Sequence, residues 1–176
     1  FTSSTFLPLL ILQKGYTRGD VAEIGFWAII LSIWFKPFLG RLTDKVRFIY
    51  VITITLILYS LALLVFTIAQ DFLVLVLLYI CLNVSMMTSY MAENNEVSRR
   101  APEISRGTAL GALGFYVSLG RTTSTIVTGP IWEIFDLRTV FYVITFFIVL
   151  ITLVLFIWNV IKGKDSKLEL KFFHKN

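Results

Sequence analysis

At 176 residues, with 57% of them hydrophobic, only 15% charged and a formal charge of +5, the chain has the wrong balance for a water-soluble domain. Such a domain carries charge on about a quarter of its residues. The expected solvent is therefore a lipid bilayer. A lone cysteine, Cys81, leaves no disulfide framework and no cysteine metal site, so neither a metal nor a cofactor is expected.

Residues 5–12 read as the last half of a span that begins ahead of the sequence, giving an incomplete first helix over about 1–12. No initiator Met, basic leader or cleavage site precedes Phe1, which reads as a fragment of a larger protein. Apolar runs follow at about 21–40, 48–69, 72–92 and 140–161. Each is near or above the roughly 18 residues that cross about 30 Å of hydrocarbon at about 1.5 Å per residue. A more polar span over 107–132 brings the total to six, and residues 163–176 form a basic tail. The expected fold is an all-α membrane protein, a six-helix transmembrane unit over 1–162 followed by that tail.

The positive charge follows the membrane and gives no reason to expect nucleic acid. Segments 41–47, 99–106 and 162–176 hold eleven Lys and Arg, whereas the alternate loops hold only Lys14, Arg18 and Arg138. The positive-inside rule then places the Asp44 loop and the C-terminal tail in the cytoplasm of a multi-pass protein of the cell membrane.

Polarity differs from span to span. The third and sixth are dominated by Leu, Ile, Val and Phe and are expected to face lipid. The second carries Lys36, the fourth Asn83, Ser85, Thr88, Ser89 and Tyr90, and the fifth Arg121 with a run of hydroxyls. Polar groups are costly in hydrocarbon and turn toward the bundle interior or a wet cavity, so these three are the lining spans. Cys81, mid-span, reads as a packing residue, and His174 as a solvated tail residue. The Asn83-Val84-Ser85 sequon lies within the hydrocarbon, where a glycosylated loop cannot be.

Short motifs sharpen the picture. Gly40-Arg41-Leu42-Thr43-Asp44-Lys45-Val46-Arg47 sits between the second and third spans with the spacing Gly-x-Leu-x-Asp-basic. Pro102-Glu103 precedes Arg106-Gly107-x-Ala109-x-Gly111, Gly129-Pro130 lies near the outer end of the fifth span, and Asp136-Leu137-Arg138-Thr139-Val140-Phe141 opens the sixth. In this order the set resembles the major facilitator superfamily of secondary transporters, over nearly the entire chain. The sequence departs from the family pattern at Arg47, where the family has glycine, in the apolar residues after it, and in lacking a Gly-Trp pair before the sixth span.

The resemblance implies nested three-plus-three inverted repeats forming one half of a transporter. It also implies a small-molecule solute as cargo, alternating access as the mechanism, and a second half outside this sequence. The degraded loop motif and an unsatisfied antiporter glycine pattern ahead of Gly129-Pro130 point to the C-terminal half. The short basic tail from Lys162, which reads as a natural chain end, points the same way.

By the same resemblance Gly40, Asp44 and Lys45 form a conformational latch, in which the carboxylate pairs with basic residues and a helix N-terminus. Arg106, opening the fifth span from the same side, is the expected partner of Asp44. A plainer reading, that Asp44 caps the third helix, stays open. Lys36 can lift its ammonium to the interface, next to Pro37 and Gly40, which loosen the helix.

Arg121 cannot escape in that way. It lies about 21 Å along the helix from Gly107 and about 18 Å from Glu133, and shares one face with Gly111, Gly114, Ser118, Thr125 and Thr128. It reads either as a substrate contact, which would make the cargo anionic or strongly accepting, or as part of a structural charge network. Asn83, Tyr90 and Tyr116 are further candidates for hydrogen bonds to cargo, with ordinary interhelical bonding as the alternative. Glu23 and Glu133 lie near outer ends and Glu93 near the inner one. If a proton is the coupling ion, its carboxylate is expected in the other half.

A membrane enzyme would have little to build with, given one His, one Cys and no deep carboxylate. A channel finds no support in paired half-helices or a repeated filter sequence. A receptor or structural protein on the same scaffold stays open, because fold does not fix function.

Overall fold

Residues 2–173 are described in a computed structural model, with side chains described for 6–132 and 134–157. Six α-helices follow one another among them: α1 (Thr2–Gln13), α2 (Arg18–Lys45), α3 (Phe48–Ile68), α4 (Phe72–Arg100), α5 (Arg106–Ile134) and α6 (Leu137–Phe173). A 3₁₀ turn, Glu103–Ser105, leads into α5.

Local chemistry sets several boundaries. The Thr17 amide donates to the Asp20 carboxylate at 2.8 Å and the Asp20 amide to the Thr17 hydroxyl at 3.3 Å, a capping box that satisfies two otherwise orphaned donors. Asp71 caps α4 by accepting from the amides of Leu73 and Val74. Gly15, with φ of 94°, supplies the left-handed residue that turns α1 into α2.

Four stretches, namely α2, α3, α4 and Leu137–Ile157 of α6, are long and apolar enough to cross a membrane. With 12 residues, α1 reaches about 18 Å, part of the hydrocarbon thickness. α4 packs against both α2 and α3, α6 lies against α3, and α5 touches α4, α1 and α6. Leu10 and Ile11 of α1 meet Ile24, Leu63, Phe66 and Phe141 in a fully buried core at the end of the bundle where α1 turns into α2. Cys81 packs partly buried against this core. Thr67 and Thr145 donate at 2.8 Å to the carbonyls of Leu63 and Phe141, four residues earlier, which satisfies hydroxyls in an apolar surround.

Three expectations need correcting. α2 continues past residue 40 to Lys45 and α4 past 92 to Arg100, so Gly40 to Lys45 is helix and the connection to α3 is only residues 46–47. Hydropathy marks where a helix leaves lipid; hydrogen bonding carries the backbone further, and basic residues in the last turn suit the helix dipole. Likewise α6 is helical to Phe173, so the basic segment from 163 continues a helix, while His174 lies outside the described residues.

Finally, α3 does not simply face lipid. It exposes Ile54, Leu58, Leu61 and Val65 but buries Ile52, Thr55, Tyr59, Leu63 and Phe66 against its neighbours. Lipid and protein core are equally apolar, so a uniformly apolar sequence hides which face meets which.

Candidate functional site

The last turns of α2 meet the last turns of α4 through polar side chains. Thr43 is buried, donating its hydroxyl to the Gly40 carbonyl at 2.8 Å and accepting from the Asn95 side-chain nitrogen at 3.2 Å. That nitrogen also donates to the Asp44 carboxylate at 3.1 Å. One turn on, and so on the same face of α4, the Arg99 guanidinium lies 3.5 Å from the Asp44 carboxylate and donates to the Asp44 main-chain carbonyl at 3.0 Å. Arg100 pairs separately with Glu96 at 2.5 Å along the helix.

The Asp44 and Arg99 side chains are 64% and 51% exposed. An ion pair so open to solvent contributes about 0–1 kcal/mol. It positions α2 on α4 and can be broken at little cost. Beside it a recess of about 260 Å³ is walled by Asp44, Asn95, Ser98, Arg99 and Arg106.

Residues 1–174 match the family model of the Major Facilitator Superfamily. The chain belongs to that superfamily. No curated protein and no solved structure matches it. It is thus an integral membrane protein and a transporter of the major facilitator type, a family whose members carry small solutes and are not enzymes.

Within this transporter the Asp44 reading needs one change of partner. Arg106, the first residue of α5, lines the same recess, but the carboxylate's ion pair is with Arg99. The reason is packing: α4 lies directly on α2, whereas Arg106 stands beyond the 3₁₀ turn. Nor does Asp44 cap α3, whose N-cap residue is Arg47, with no side-chain cap bond. Lys45 is the exposed last residue of α2. At Gly40 an added Cβ would meet nothing within 4 Å, so it is not needed for close packing among the described residues. Asn95 and Arg99 lie beyond the apolar run that ends at residue 92, and their four-residue spacing is the sequence signal for a shared helix face.

The transporter's membrane-embedded candidates sit on α4 and α5. Arg121 is exposed, its carbonyl accepting from the Ser124 and Thr125 hydroxyls at 2.9 Å. Thr128, on the same face, is buried, and Trp132 one turn further sets its ring 6.0 Å from Phe6 of α1. Arg121 therefore lies on the face of α5 that α1 covers nearer the helix end. Asn83 donates to the Tyr79 carbonyl at 3.0 Å, four residues back in its own helix. Tyr90 is exposed on α4, and Tyr116 is exposed on α5 with its ring edge-on to Phe115 at 5.8 Å.

A cavity of about 300 Å³ between α3, α4 and α6 is lined instead by Glu93, Ser89, Ser85, Thr55 and Tyr59 among apolar neighbours. The Thr55 and Ser89 hydroxyls lie 2.7 Å apart at its wall. Ser85, Ser89 and Glu93 recur every four residues, a spacing visible in the sequence that marks one face of α4 turned toward α3.

Proposed function

We propose that the chain is one half, the C-terminal half, of a secondary transporter that moves a small solute by alternating access, with Asp44, Asn95 and Arg99 forming a latch on the cytoplasmic side. The observation that carries this reading is the exposed Asp44–Arg99 pair at 3.5 Å, made between two helices and sharing a recess with Arg106. A pair worth about 0–1 kcal/mol can hold one conformation and release it on the timescale of a transport cycle. Arg106 is then the residue to which the carboxylate transfers as α5 moves.

The degraded loop motif supports the assignment to the C-terminal half. Support for a second half comes from Phe26, Trp34 and Phe38 on α2 and Arg121 on α5, all exposed. An arginine at this depth faces protein or water, not lipid. Its planar fork binds carboxylate or phosphate through two bonds, which favours an anionic cargo. Proton coupling, on this reading, uses a carboxylate of the other half. The clustering of basic residues around Asp44 supports the cytoplasmic assignment in the cell membrane.

The test is uptake by the complete carrier in proteoliposomes, using a panel of small carboxylates, phosphate esters, neutral solutes and organic cations. Saturable uptake of an anion, weakened by Arg121→Lys and abolished by Arg121→Ala, is expected. Unsaturable conductance would make the protein a channel, and binding without flux a receptor.

A further inference from the structure

The cavity of about 300 Å³ between α3, α4 and α6 has a charged end and an apolar body. Glu93 lines it near the end of α4, and Ser85, two four-residue steps earlier on the same face, lines it further in. That stretch of α4 runs about 12 Å along the helix axis. Leu56 of α3, Met86 of α4 and Ile148 of α6 wall the body with hydrocarbon. Small-molecule sites are concave, mostly apolar, and carry a few placed polar groups in roughly 300–1,000 Å³. The cavity meets each of those conditions.

Its polar groups are not equally supplied with partners. The Thr55 hydroxyl lies 2.9 Å from the Val51 carbonyl and 2.7 Å from the Ser89 hydroxyl, so this pair is satisfied within the wall. Glu93, half-buried, has no matching cation: Arg99 is engaged by Asp44 and Arg100 by Glu96. No other ion pair forms among the described residues. A carboxylate drawn from water toward hydrocarbon is costly unless a paired, hydrogen-bonding charge meets it. A bare inorganic cation would supply the charge and leave the apolar walls facing its hydration shell. A lipid tail would fit the walls and leave the carboxylate facing hydrocarbon. An ammonium on an apolar body answers both.

We propose that this cavity binds an amphipathic ammonium compound, its charged head on Glu93 and its apolar body between Leu56, Met86 and Ile148. No residue lining it belongs to the Asp44 recess, and Arg121 stands on a helix that does not line it. The site therefore rests on neither the latch nor the anionic cargo.

The probe is n-hexylamine, protonated near neutral pH as alkylamines are, with n-hexanol as its uncharged counterpart. Binding to the complete carrier in phosphatidylcholine nanodiscs is read by calorimetry, with the heat of empty nanodiscs subtracted. Hexylammonium should bind saturably and about tenfold tighter than hexanol, a factor equivalent to about 1.4 kcal/mol. Glu93→Gln should remove that tenfold preference, and Ile148→Trp, which fills the apolar body and leaves the carboxylate, should abolish saturable binding. Heat that never saturates, equal affinity for hexanol, or binding that survives Ile148→Trp would overturn the proposal. So would a Glu93→Gln protein that unfolds at a markedly lower temperature while wild type binds no hexylammonium, which would make Glu93 a structural charge. Nanodiscs containing phosphatidylethanolamine separate two sources of the same chemistry: weaker hexylammonium binding there marks a lipid head group as the occupant, and unchanged binding marks a free amine. Because binding needs no flux, this test fails or holds separately from the uptake test of the carrier.

Discussion

Asp44→Asn removes a charge while keeping the shape of the side chain. The new amide oxygen can still accept from Asn95, now 3.1 Å away, and Arg99 keeps its bond to the Asp44 main-chain carbonyl at 3.0 Å. What is lost is the 3.5 Å ion pair between side chains that are 64% and 51% exposed. Such a pair is worth about 0.2–1 kcal/mol, roughly a 1.4- to 5-fold change in the balance between access states. Initial uptake rates should be measured for Asp44→Asn, Arg99→Gln and the double variant, each at matched expression. The single variants should change the rate by a factor in that range and in the same direction, and the double variant no further, because both remove one interaction. Raising ionic strength from about 0.1 M to 1 M shortens the screening length from about 10 Å to about 3 Å and should shrink the effect in wild type. Additive losses in the double variant, or rates unchanged in every variant, would refute the latch.

Topology can be read with single cysteines in a Cys81→Ala background: Lys45→Cys and Leu73→Cys, both exposed at opposite ends of the bundle, should label from opposite sides, with Lys45→Cys protected from an external impermeant reagent. Arg121→Lys should weaken cargo binding without lowering the unfolding temperature, whereas a marked drop in that temperature with unchanged affinity would make Arg121 a structural charge. Burial first, and the neighbouring Arg138 charge second, lower the Lys14 ammonium from 10.5 to about 8. Between those values the unfolded chain binds more protons than the folded one, so stability should rise with pH from about 8 to 10.5. Over that window wild type should gain in unfolding temperature relative to Lys14→Met and run parallel to it below; a relative loss would contradict the sign.

The helices are legible because a bilayer demands long apolar runs, whereas the caps at Thr17 and Asp71 emerge only in the structure. The extensions of α2 and α4 are not legible, since hydropathy falls at residues 40–45 and 93–100 while the helix continues. That single effect hides Asn95 and Arg99, which lie on the extension of α4. The two faces of α3 were hidden for a different reason, the equal polarity of lipid and core. Asn83 shows how a polar residue in a span can be satisfied by its own helix, at 3.0 Å from the Tyr79 carbonyl, without marking a site.

Alternating access with an Asp44 latch is tested most directly by counterflow. Proteoliposomes holding the complete carrier, preloaded with the best anion from the uptake panel, are diluted into a trace of the labelled compound. Wild type should show a transient overshoot of internal label, and Asp44→Asn should reach it at a rate altered roughly 1.4- to 5-fold. Label that equilibrates without overshoot in wild type, or an overshoot identical in Asp44→Asn, would contradict a latched carrier.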